Sequence, residues 1–352
     1  MRADRVTAAL AERELDALLV TTMTNVRWLT GFTGTNAVAI VAPGERIFIT
    51  DFRYTEQAAA QVEGFELVRG QRSLLGDAAG RVSGRVGFED AHLAVRTHAR
   101  VAELAEGAEL VPAGDLLEEL RAVKDAEEIE AVRAAAALAD DAFEATVLER
   151  GLAGRTEREV ALTLEEEMRR RGAEGPSFSS IVAAGGHGAL PHAEPRDVEI
   201  PPGTLVVCDF GAQLDGYCSD CTRTIATGEI DAEAREVYEL VRDAQAAALE
   251  AVRPGAVLRD VDAVARERIA AAGHGERFGH GLGHGVGLEI HEEPRLTSQA
   301  EGELAAGNIV TVEPGVYVAG AFGVRIEDLV AVTSTGCEIL SRLPKELIVL
   351  GA

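Results

Sequence analysis

The sequence is poor in positive charge and contains no long hydrophobic run. Its 34 lysine and arginine residues stand against 59 aspartate and glutamate residues, which gives a formal net charge of −25. A surface of that sign argues against nucleic acid and against an anionic membrane as partners. No apolar run approaches the roughly 18 residues of a membrane span, and the first residues lack the apolar core of a signal peptide. We therefore expect a cytoplasmic protein that binds neither nucleic acid nor a membrane.

Cysteine is scarce, and the four residues present do not form a metal-binding motif. They are Cys208, Cys218, Cys221 and Cys337. Cys218 and Cys221 have CxxC spacing, but positions three apart on one strand point to opposite faces of a sheet, so the two cannot hold one ion together. We expect buried, free thiols in a reducing compartment.

The first third of the chain shows no glycine-rich phosphate-binding loop. Its glycine pair at Gly31–Gly34 lacks the strand–GxGxxG–helix setting that such a loop requires. Residues 1–120 instead show helical and strand periodicities in turn. Helices are predicted near Arg5–Arg13, Tyr54–Val62 and Val95–Leu104, and strands at Ala17–Thr21, Ala37–Val41, Arg46–Thr50, Phe65–Val68, Val86–Phe88 and Leu110–Val111. This pattern indicates a self-contained α/β unit.

A chain of 352 residues is expected to form about two domains. The composition changes at Leu116–Lys124, and the spacing of apolar residues then predicts a long helix over Asp125–Arg150. A second helix is predicted over Glu157–Arg171, with Thr156 or a neighbouring residue as its cap. We place the domain boundary between residues 122 and 123, which gives domains 1–122 and 123–352.

Residues 206–224 are predicted to form two strands joined by a tight turn. Asp215 and Gly216 suit a two-residue hairpin loop because both tolerate the positive φ angles that it requires. Leu214 then pairs with Tyr217.

The same register brings two carboxylates close together. Counting outward from the turn, Asp220 lies opposite Gly211, and Asp209 is the diagonal neighbour of Asp220, with Cβ atoms roughly 7–8 Å apart. Gly211 is expected to leave space between them. Acidic residues in hairpins are usually only solvated, but this separation also suits a pair of metal ions about 3.5–4 Å apart.

Three of the eight histidines, His280, His284 and His291, lie within 12 residues. The glycines between them make a helix implausible despite the i,i+4 spacing of the first two. In an extended segment His280 and His284 share a face, and His291 points the other way. Neutral imidazole is the commonest protein metal ligand. His192 ends a glycine- and proline-rich loop, Gly185–His192, in which the backbone can approach a ligand closely.

Two further carboxylates lie in apolar strands. Glu313 follows Ile309–Val312 directly before a Pro-Gly stop, and a buried, unpaired carboxylate at this place needs a cation. Gly323–Val330 is predicted as one strand whose alternation places Arg325 and Glu327 on the same face. Arg325 could therefore neutralise Glu327 without any metal.

Together these segments supply four carboxylates and one imidazole: Asp209, Asp220, His284, Glu313 and Glu327. Four carboxylates that converge without a cation would repel one another and take up protons. Two divalent cations would balance their charge and leave room for one hydroxide. Oxygen-rich ligation favours Mn²⁺, Co²⁺, Zn²⁺ or Fe²⁺ over a structural tetrahedral zinc. The chemistry implied is two-metal hydrolysis, in which an acidified water attacks a carbonyl group.

The motifs resemble those of the pita-bread, M24-type metallopeptidases, which include methionine aminopeptidase, aminopeptidase P and prolidase. The C-terminal motifs are DFGAxxxxYCSDCTRT, HGLGHGVGLEIHEEP, TVEPGVY and GVRIED, and the N-terminal ones, NVRWLTGFTG and RAVKDAEEI, resemble the creatinase-like domain of the Xaa-Pro peptidases. One departure is Cys221, where the family usually has an aliphatic residue. The resemblance covers nearly the whole chain. It implies an α/β (α+β) fold with a creatinase-like N-terminal α/β domain followed by a pita-bread catalytic domain.

The resemblance also implies which residues hold two divalent metal ions, with Mn²⁺ favoured. Asp209 is expected to chelate one ion, and His284 and Glu313 to hold the other. Asp220 and Glu327 are expected to bridge the pair.

Catalytic and substrate-binding roles follow from the same resemblance. Glu313 is expected to act as general base toward the bridging water. His192 and His291 are expected to position the substrate and to move protons or stabilise the intermediate. His280 and Arg325 are expected to support the site and the bound substrate.

The members of this family differ in their domains and in whether they keep the metal ligands. Methionine aminopeptidase lacks the N-terminal domain, and creatinase and the non-catalytic peptide-binding relatives lose the metal ligands that this chain keeps. The remaining choice is between an aminopeptidase P-like enzyme, which hydrolyses the Xaa-Pro bond at the N-terminus of longer peptides, and an Xaa-Pro dipeptidase (prolidase). The difference depends on whether the path beyond the proline is blocked, which the sequence does not show; of the two, we favour the aminopeptidase. Proline-containing peptides are the expected partners, and a homodimer is expected by analogy with the family.

Overall fold

The computed structural model describes residues 2–71 and 73–351, and the chain divides into two compact units, Met1–Arg121 and Ala122–Ala352. The elements of the first unit, in chain order, are α1 (Arg2–Glu12), β1 (Ala17–Val20), α2 (Met23–Thr30), β2 (Ala37–Ala42), β3 (Glu45–Thr50), α3 (Thr55–Gln61), β4 (Glu66–Arg69), α4 (Leu74–Ala79), β5 (Gly84–Phe88), α5 (Val95–Leu104), β6 (Ala108–Pro112) and α6 (Leu116–Ala122).

The first unit is built on one mixed six-stranded sheet in the order β4-β3-β2-β1-β5-β6. Strand β2 runs antiparallel to its neighbours β1 and β3. The other neighbouring pairs, β3 with β4, β1 with β5 and β5 with β6, are parallel. Each helix and strand predicted for residues 1–120 is confirmed within a few residues. The short helices α2, α4 and α6, of six to eight residues each, are not predicted by the periodicity.

The second unit contains four long helices and thirteen strands among the described residues. In chain order they are α7 (Ala126–Phe143), α8 (Glu157–Arg170), β7 (Gly175–Pro176), β8 (Ile181–Ala184), β9 (Leu205–Phe210), β10 (Ala212–Leu214), β11 (Tyr217–Cys218), β12 (Cys221–Ala226), α9 (Ala232–Ala251), α10 (Leu258–Ala271), β13 (Gly283–Gly285), β14 (Glu292–Leu296), β15 (Ile309–Val312), β16 (Gly315–Val318), β17 (Phe322–Arg325), β18 (Asp328–Val332) and β19 (Cys337–Ile339).

Two helix pairs cover two sheets in this unit. Apolar side chains of α7 and α8 pack against the three-stranded sheet β12-β9-β8. Those of α9 and α10 pack against the five-stranded sheet β14-β13-β15-β18-β19 and the hairpin of β16 and β17. The cores therefore lie between helices and strands. None of the described helices is long and apolar enough to cross a membrane.

The two helices predicted after the boundary begin at fixed points because each has a capping box. The Asp125 side chain accepts a hydrogen bond from the amide of Glu128, whose side chain in turn accepts from the amide of Asp125. Thr156 and Glu159 make the same reciprocal pair at the start of α8, which confirms the predicted cap.

The end of α7 is packed directly behind the predicted metal ligands. The rings of Phe143 and Phe210 are stacked, with centroids 4.7 Å apart and planes 6° apart. Phe210 follows Asp209 in β9, so this contact fixes the end of the strand that carries Asp209. Aromatic pairs of this kind stabilise a core by about 0.5–1.5 kcal/mol beyond the area that they bury.

All four cysteines are free, and Cys208, Cys218 and Cys221 are buried. Burial raises the pKa of the Cys208 and Cys218 thiols to about 12, so both stay protonated. The expectation of free, buried thiols is confirmed for these three residues.

Helix α7 also buries a carboxyl group that has only one strong donor. One oxygen of Asp140 accepts from the amide of Arg342 at 2.7 Å, and the other has no hydrogen-bond partner among the described residues. Burial raises the pKa of Asp140 to about 6, although the Arg342 amide and the charge of Arg223 oppose the shift. The folded protein thus keeps a proton that the unfolded chain releases near pH 4.

This difference makes stability depend on pH in a definite direction. As pH rises from about 4 through 6, the unfolded state loses the Asp140 proton first, so the free energy of unfolding falls. Between pH 5 and pH 8 the free energy of unfolding should fall by about 1.4 kcal/mol, the energy that corresponds to one pKa unit. Asp140→Asn cannot ionise, so the variant should gain that amount relative to the wild type over the same interval. Urea denaturation at both pH values measures it, with Asp260→Asn, at a side chain 73% exposed, as control. An offset between wild type and Asp140→Asn that is equal at pH 5 and pH 8 would contradict the assignment.

Lys124 and Glu292 form an ion pair from which water is excluded. Nζ lies 3.0 Å from Oε2, and the side chains are 1% and 5% exposed. The second oxygen of Glu292 accepts from the amide of Glu289 at 3.1 Å. A Cβ on Gly287 would lie 2.6 Å from this carboxylate. The pair therefore fixes the segment that leads to His291.

Lys124→Met should lower the free energy of unfolding by about 3–5 kcal/mol, because it removes the ammonium group from a buried ion pair. The double variant Lys124→Met/Glu292→Gln removes both charges and should recover most of the loss. Urea denaturation at neutral pH compares the three proteins. A loss of less than about 1 kcal/mol in the single variant, the value of an exposed ion pair, would show that the pair is not buried in solution.

Candidate metal centre

The predicted hairpin has the expected turn and register. Leu214 pairs with Tyr217 across the loop. Both loop residues have positive φ angles, 48° at Asp215 and 80° at Gly216. An aspartate and a glycine tolerate this backbone, which L-residues with larger side chains avoid.

Farther from the turn, the register brings the two aspartates together as predicted. Asp209 pairs with Thr222 in the β9–β12 ladder, so Asp220 is the diagonal neighbour of Asp209. The expectation of open space at Gly211 is wrong. A Cβ at this position would lie 1.9 Å from the carbonyl oxygen of Ser219, so neighbouring atoms occupy the position of a side chain.

Glu313 and Glu327 each lie where the chain leaves one sheet for another. β15 ends directly before Glu313 in the five-stranded sheet, and β16 begins two residues later in the two-stranded sheet. β17 ends and β18 begins on either side of Ile326 and Glu327. The prediction of one continuous strand over Gly323–Val330 is therefore wrong, because the chain changes sheets in its middle.

His284 lies in β13 and faces two of the carboxylates. Its Nε2 is 3.2 Å from Oε1 of Glu313 and 3.6 Å from Oδ2 of Asp220. Its Nδ1 lies 3.0 Å from the carbonyl oxygen of Gly285. Because a carbonyl only accepts, Nδ1 carries a proton, and Nε2 is the ring nitrogen that faces the carboxylates.

All five predicted ligands come together in this region. One oxygen each of Asp209, Asp220 and Glu327 lie within 4.8 Å of one another. His284 joins Glu313 to the same group through its distances to Glu313 and Asp220.

The group is electrostatically strained without a cation. Burial, followed by the charge of neighbouring carboxylates, raises the pKa of Asp220 and of Glu327 well above the usual values. Burial also raises the pKa of Asp209, against the charge of Arg325. Burial acts in the same direction on Glu313, but hydrogen bonding to His284 and nearby positive charge bring its pKa down to about 2. Neighbouring carboxylates of this kind ionise together only when positive charge is added.

The residues present fit a metal site by the chemistry of their atoms. Oδ1 of Asp209 and Oε1 of Glu327 are buried and have no hydrogen-bond partner among the described residues. Buried polar atoms are normally satisfied, so two such oxygens in one cluster call for another partner. Carboxylate oxygens and a neutral imidazole nitrogen are ligands that divalent transition metals accept.

Arg325 neutralises Asp209 and not Glu327. Its Nη2 donates to Oδ2 of Asp209 at 2.6 Å, whereas Oε2 of Glu327 accepts from the Thr222 hydroxyl at 2.8 Å. The alternative in which Arg325 replaces a metal at Glu327 is therefore wrong. Arg325 is 3% exposed, so its role here is to hold one predicted ligand from behind.

Arg325 and His280 belong to one chain of hydrogen bonds. Nη1 of Arg325 donates to the Tyr317 hydroxyl at 2.8 Å, and this hydroxyl lies 2.9 Å from Nε2 of His280. Nδ1 of His280 lies 2.7 Å from the carbonyl oxygen of Gly281. Both ring nitrogens of His280 thus have protein partners.

A cleft of about 480 Å³ opens above the cluster and is lined by every predicted site residue except Glu327. His192 and His291, the two predicted catalytic histidines, are exposed at its walls. The His284 and His291 rings are 4.4 Å apart and nearly perpendicular. The expectation that His291 points away from His284 is wrong, because β13 ends at Gly285 and the chain turns before His291.

The structure adds residues that the sequence does not single out. The Tyr317 hydroxyl contacts both Arg325 and His280, and the Thr222 hydroxyl donates to Glu327. The contacts with His280 and Glu327 join segments that are distant in the sequence, so the sequence gives no signal for them. Arg295, whose side chain is 46% exposed, lines the cleft and contributes a cation.

The chain matches two known domain families along almost its whole length. Residues 2–123 match the creatinase/prolidase N-terminal domain, and residues 130–334 match the metallopeptidase family M24. The second match covers more than half of the chain.

Relatives and solved structures agree with this assignment. An uncharacterised peptidase of Bacillus subtilis, YqhT, is 42% identical over 99% of this chain and 100% of its own length. The structure of an Xaa-Pro dipeptidase from Bacillus anthracis superposes with a TM-score of 0.96 at 41% identity, covering 99% of both chains. That of an X-Pro aminopeptidase from Thermotoga maritima gives 0.90 at 35% identity, covering 97% of this chain and 99% of that one.

These matches confirm the fold class predicted from the motifs, a creatinase-like domain followed by a pita-bread catalytic domain. The chain belongs to the metallopeptidase family M24.

Proposed function

We propose that this chain is an Xaa-Pro dipeptidase that uses two divalent metal ions. The observation that carries the proposal is the cluster of buried carboxylates, two of them faced by Nε2 of His284, at the floor of a cleft of about 480 Å³. The likeness to the Bacillus anthracis Xaa-Pro dipeptidase, over 99% of both chains, supports the substrate class. In this proposal residues 1–122 form the creatinase-like domain and residues 123–352 the catalytic domain.

Five side chains would hold the metal ions: Asp209, Asp220, His284, Glu313 and Glu327. Four of the five are carboxylates, so Mn²⁺ is the proposed metal, with Co²⁺, Zn²⁺ or Fe²⁺ as alternatives. When bound, such ions lower the pKa of a coordinated water and polarise a carbonyl group.

The chain's own residues would then perform the remaining steps. Glu313 would accept a proton from the attacking water. His192 and His291, at the walls of the cleft, would donate to the substrate carbonyl or to the leaving nitrogen. Arg325 would hold the orientation of Asp209, and Tyr317 would hold His280 at the edge of the site.

The lining of the cleft favours a short substrate with a free carboxylate. Phe178, Ile181 and Ile290 give one part of the wall an apolar surface that suits a proline ring. Arg295 lines the same cleft and can pair with the C-terminal carboxylate of a dipeptide. In a longer peptide this carboxylate lies farther from the scissile bond.

We therefore place dipeptidase activity before the aminopeptidase P-like activity expected above. Aminopeptidase activity is the second candidate, because the Thermotoga maritima X-Pro aminopeptidase has a TM-score of 0.90 to this chain. We also propose a cytoplasmic homodimer. The family resemblance supports the homodimer, and size-exclusion chromatography with light scattering tests the oligomeric state.

Metal binding tests the proposed ligands directly. The metal-free wild type should bind two Mn²⁺ per chain in calorimetry, and Asp220→Asn should lose at least one of them, because a proposed bridging carboxylate becomes a neutral amide. Asp215→Asn is the matched control. It lies in the same hairpin, is exposed, and its φ of 48° is one that asparagine tolerates. Two ions bound with unchanged affinity in Asp220→Asn would remove this residue from the site.

Substrate length separates the two candidate activities. The Mn²⁺-loaded protein should hydrolyse Gly-Pro and leave Arg-Pro-Pro largely uncut, as measured by release of the N-terminal residue. Glu313→Ala should lower kcat by at least about 100-fold, because the general base is lost, whereas Glu301→Ala, at an exposed glutamate, should match the wild type. Rapid cleavage of Arg-Pro-Pro would favour the aminopeptidase. A protein that binds two ions and cleaves neither peptide would contradict the proposal.

A further inference from the structure

Glu157 is a fully buried carboxylate outside the metal cluster. It is the first residue of α8, and its side chain is 1% exposed. The N-terminal end of a helix favours negative charge, but a buried carboxylate still needs donors for both oxygens. Such donors come from three residues of one neighbouring segment, Ala184, His187 and Arg196.

These donors come from both ends of that segment. At its start, the Ala184 amide donates to Oε1 at 2.9 Å, and Nδ1 of His187 lies 2.9 Å from Oε2. At its end, the Arg196 amide donates to Oε2 at 3.1 Å, and the Arg196 guanidinium donates to both oxygens at 3.0 Å. One carboxylate thus joins the two ends of residues 184–196, which we call the His192 loop.

The opposite side of the His192 loop is packed closely against β17 and the turn before it. A Cβ on Gly186 would lie 2.7 Å from the carbonyl oxygen of Gly320, and one on Gly323 would lie 1.9 Å from that of Gly188. Nη1 of Arg325 donates to the carbonyl oxygen of Pro191 at 3.3 Å. The residue next to His192 is therefore fixed from the metal side, and Glu157 fixes the loop from the helix side.

The charge of Glu157 is needed for this arrangement. Every contact to its two oxygens comes from a donor, and a hydrogen bond to a charged group is about twice as strong as a neutral one. A glutamine would present its NH₂ group to N–H donors. His187 contributes through Nδ1, which fixes the tautomer of its ring.

We propose that Glu157 is a positioning residue, which sets the place of His192 in the cleft by joining the two ends of the His192 loop. The inference rests on the proposed function, because it assigns the effect of Glu157 to the action of His192 on a peptide substrate. Glu157 touches neither the cleft nor the metal cluster. A shift of about 1 Å in an active-site group can cost about 100-fold in rate.

The test compares Glu157→Gln with Glu166→Gln, an exposed glutamate of the same helix. Glu157→Gln should lower kcat/KM for Gly-Pro by about 10- to 100-fold and still bind two Mn²⁺ per chain, whereas Glu166→Gln should match the wild type. Hydrogen exchange read by mass spectrometry should become faster in residues 184–196 of Glu157→Gln and stay unchanged in the peptides of α9 and α10. Unchanged exchange in the His192 loop would overturn the proposal.

A double-mutant cycle separates positioning from a general structural effect. If Glu157 acts through His192, the double variant His192→Ala/Glu157→Gln should match His192→Ala alone within about twofold. A further 10-fold loss in the double variant would overturn the inference. If His192→Ala alone leaves hydrolysis unchanged, the proposed function of His192 fails, and the exchange result still decides whether Glu157 fixes the loop.

A second variant covers the case in which Glu157→Gln does not fold. Arg196→Met removes donors from one end of the loop only, at a side chain that is 47% exposed. It should lower kcat/KM less than Glu157→Gln does, and this loss too should vanish in the His192→Ala background. Wild-type activity and wild-type exchange in Arg196→Met would contradict the proposal.

Discussion

The second unit depends on the burial of several carboxylates beside one another. Each ionised carboxylate that leaves water loses several kcal/mol of solvation, and its neighbours add repulsion. The chain compensates part of this cost with its own donors, Arg325 for Asp209 and Thr222 for Glu327. One oxygen of each remains without a donor among the described residues. The demand for positive charge is therefore concentrated at one point, where a divalent ion would satisfy several oxygens at once.

The carboxylates come together because several of them lie where the chain passes from one sheet to another. In a regular strand, neighbouring side chains point to opposite faces, so one strand supplies few ligands to one point. Here Asp220 lies between β11 and β12, Glu313 between β15 and β16, and Glu327 between β17 and β18. The backbone turns at these places and directs each carboxylate inward, while the flanking strands keep their hydrogen bonds. The fold thus obtains convergence from its irregular positions and rigidity from the regular strands around them.

The sequence predicts what is local and misses what depends on distant partners. The turn at Asp215 and Gly216 sets its register through backbone φ angles, so the placement of Asp209 beside Asp220 could be deduced by counting. The capping box at Thr156 is equally local. The partner of Arg325 could not be found in this way, because Asp209 is 116 residues away. Family motifs indicated the five ligands, but the break in the strand around Glu327 and the turn before His291 follow from sheet packing, which periodicity does not report.

The proposed ligands and the exposed histidines are held in place by different means. Asp209 and His284 lie in strands whose ladders fix the backbone, whereas His192 and His291 lie in segments without a ladder of their own. A loop without ladder hydrogen bonds loses order easily, and apolar packing alone does not prescribe one geometry. A buried carboxylate with a cationic partner lies beside each segment: Glu157 with the half-exposed Arg196 behind His192, and Glu292 with the buried Lys124 beside His291. An ion pair of this kind contributes little net stability over an apolar replacement, but its hydrogen bonds are directional. This directionality explains why charge, and not a larger core, lies beneath the two loops on which proton transfer would depend.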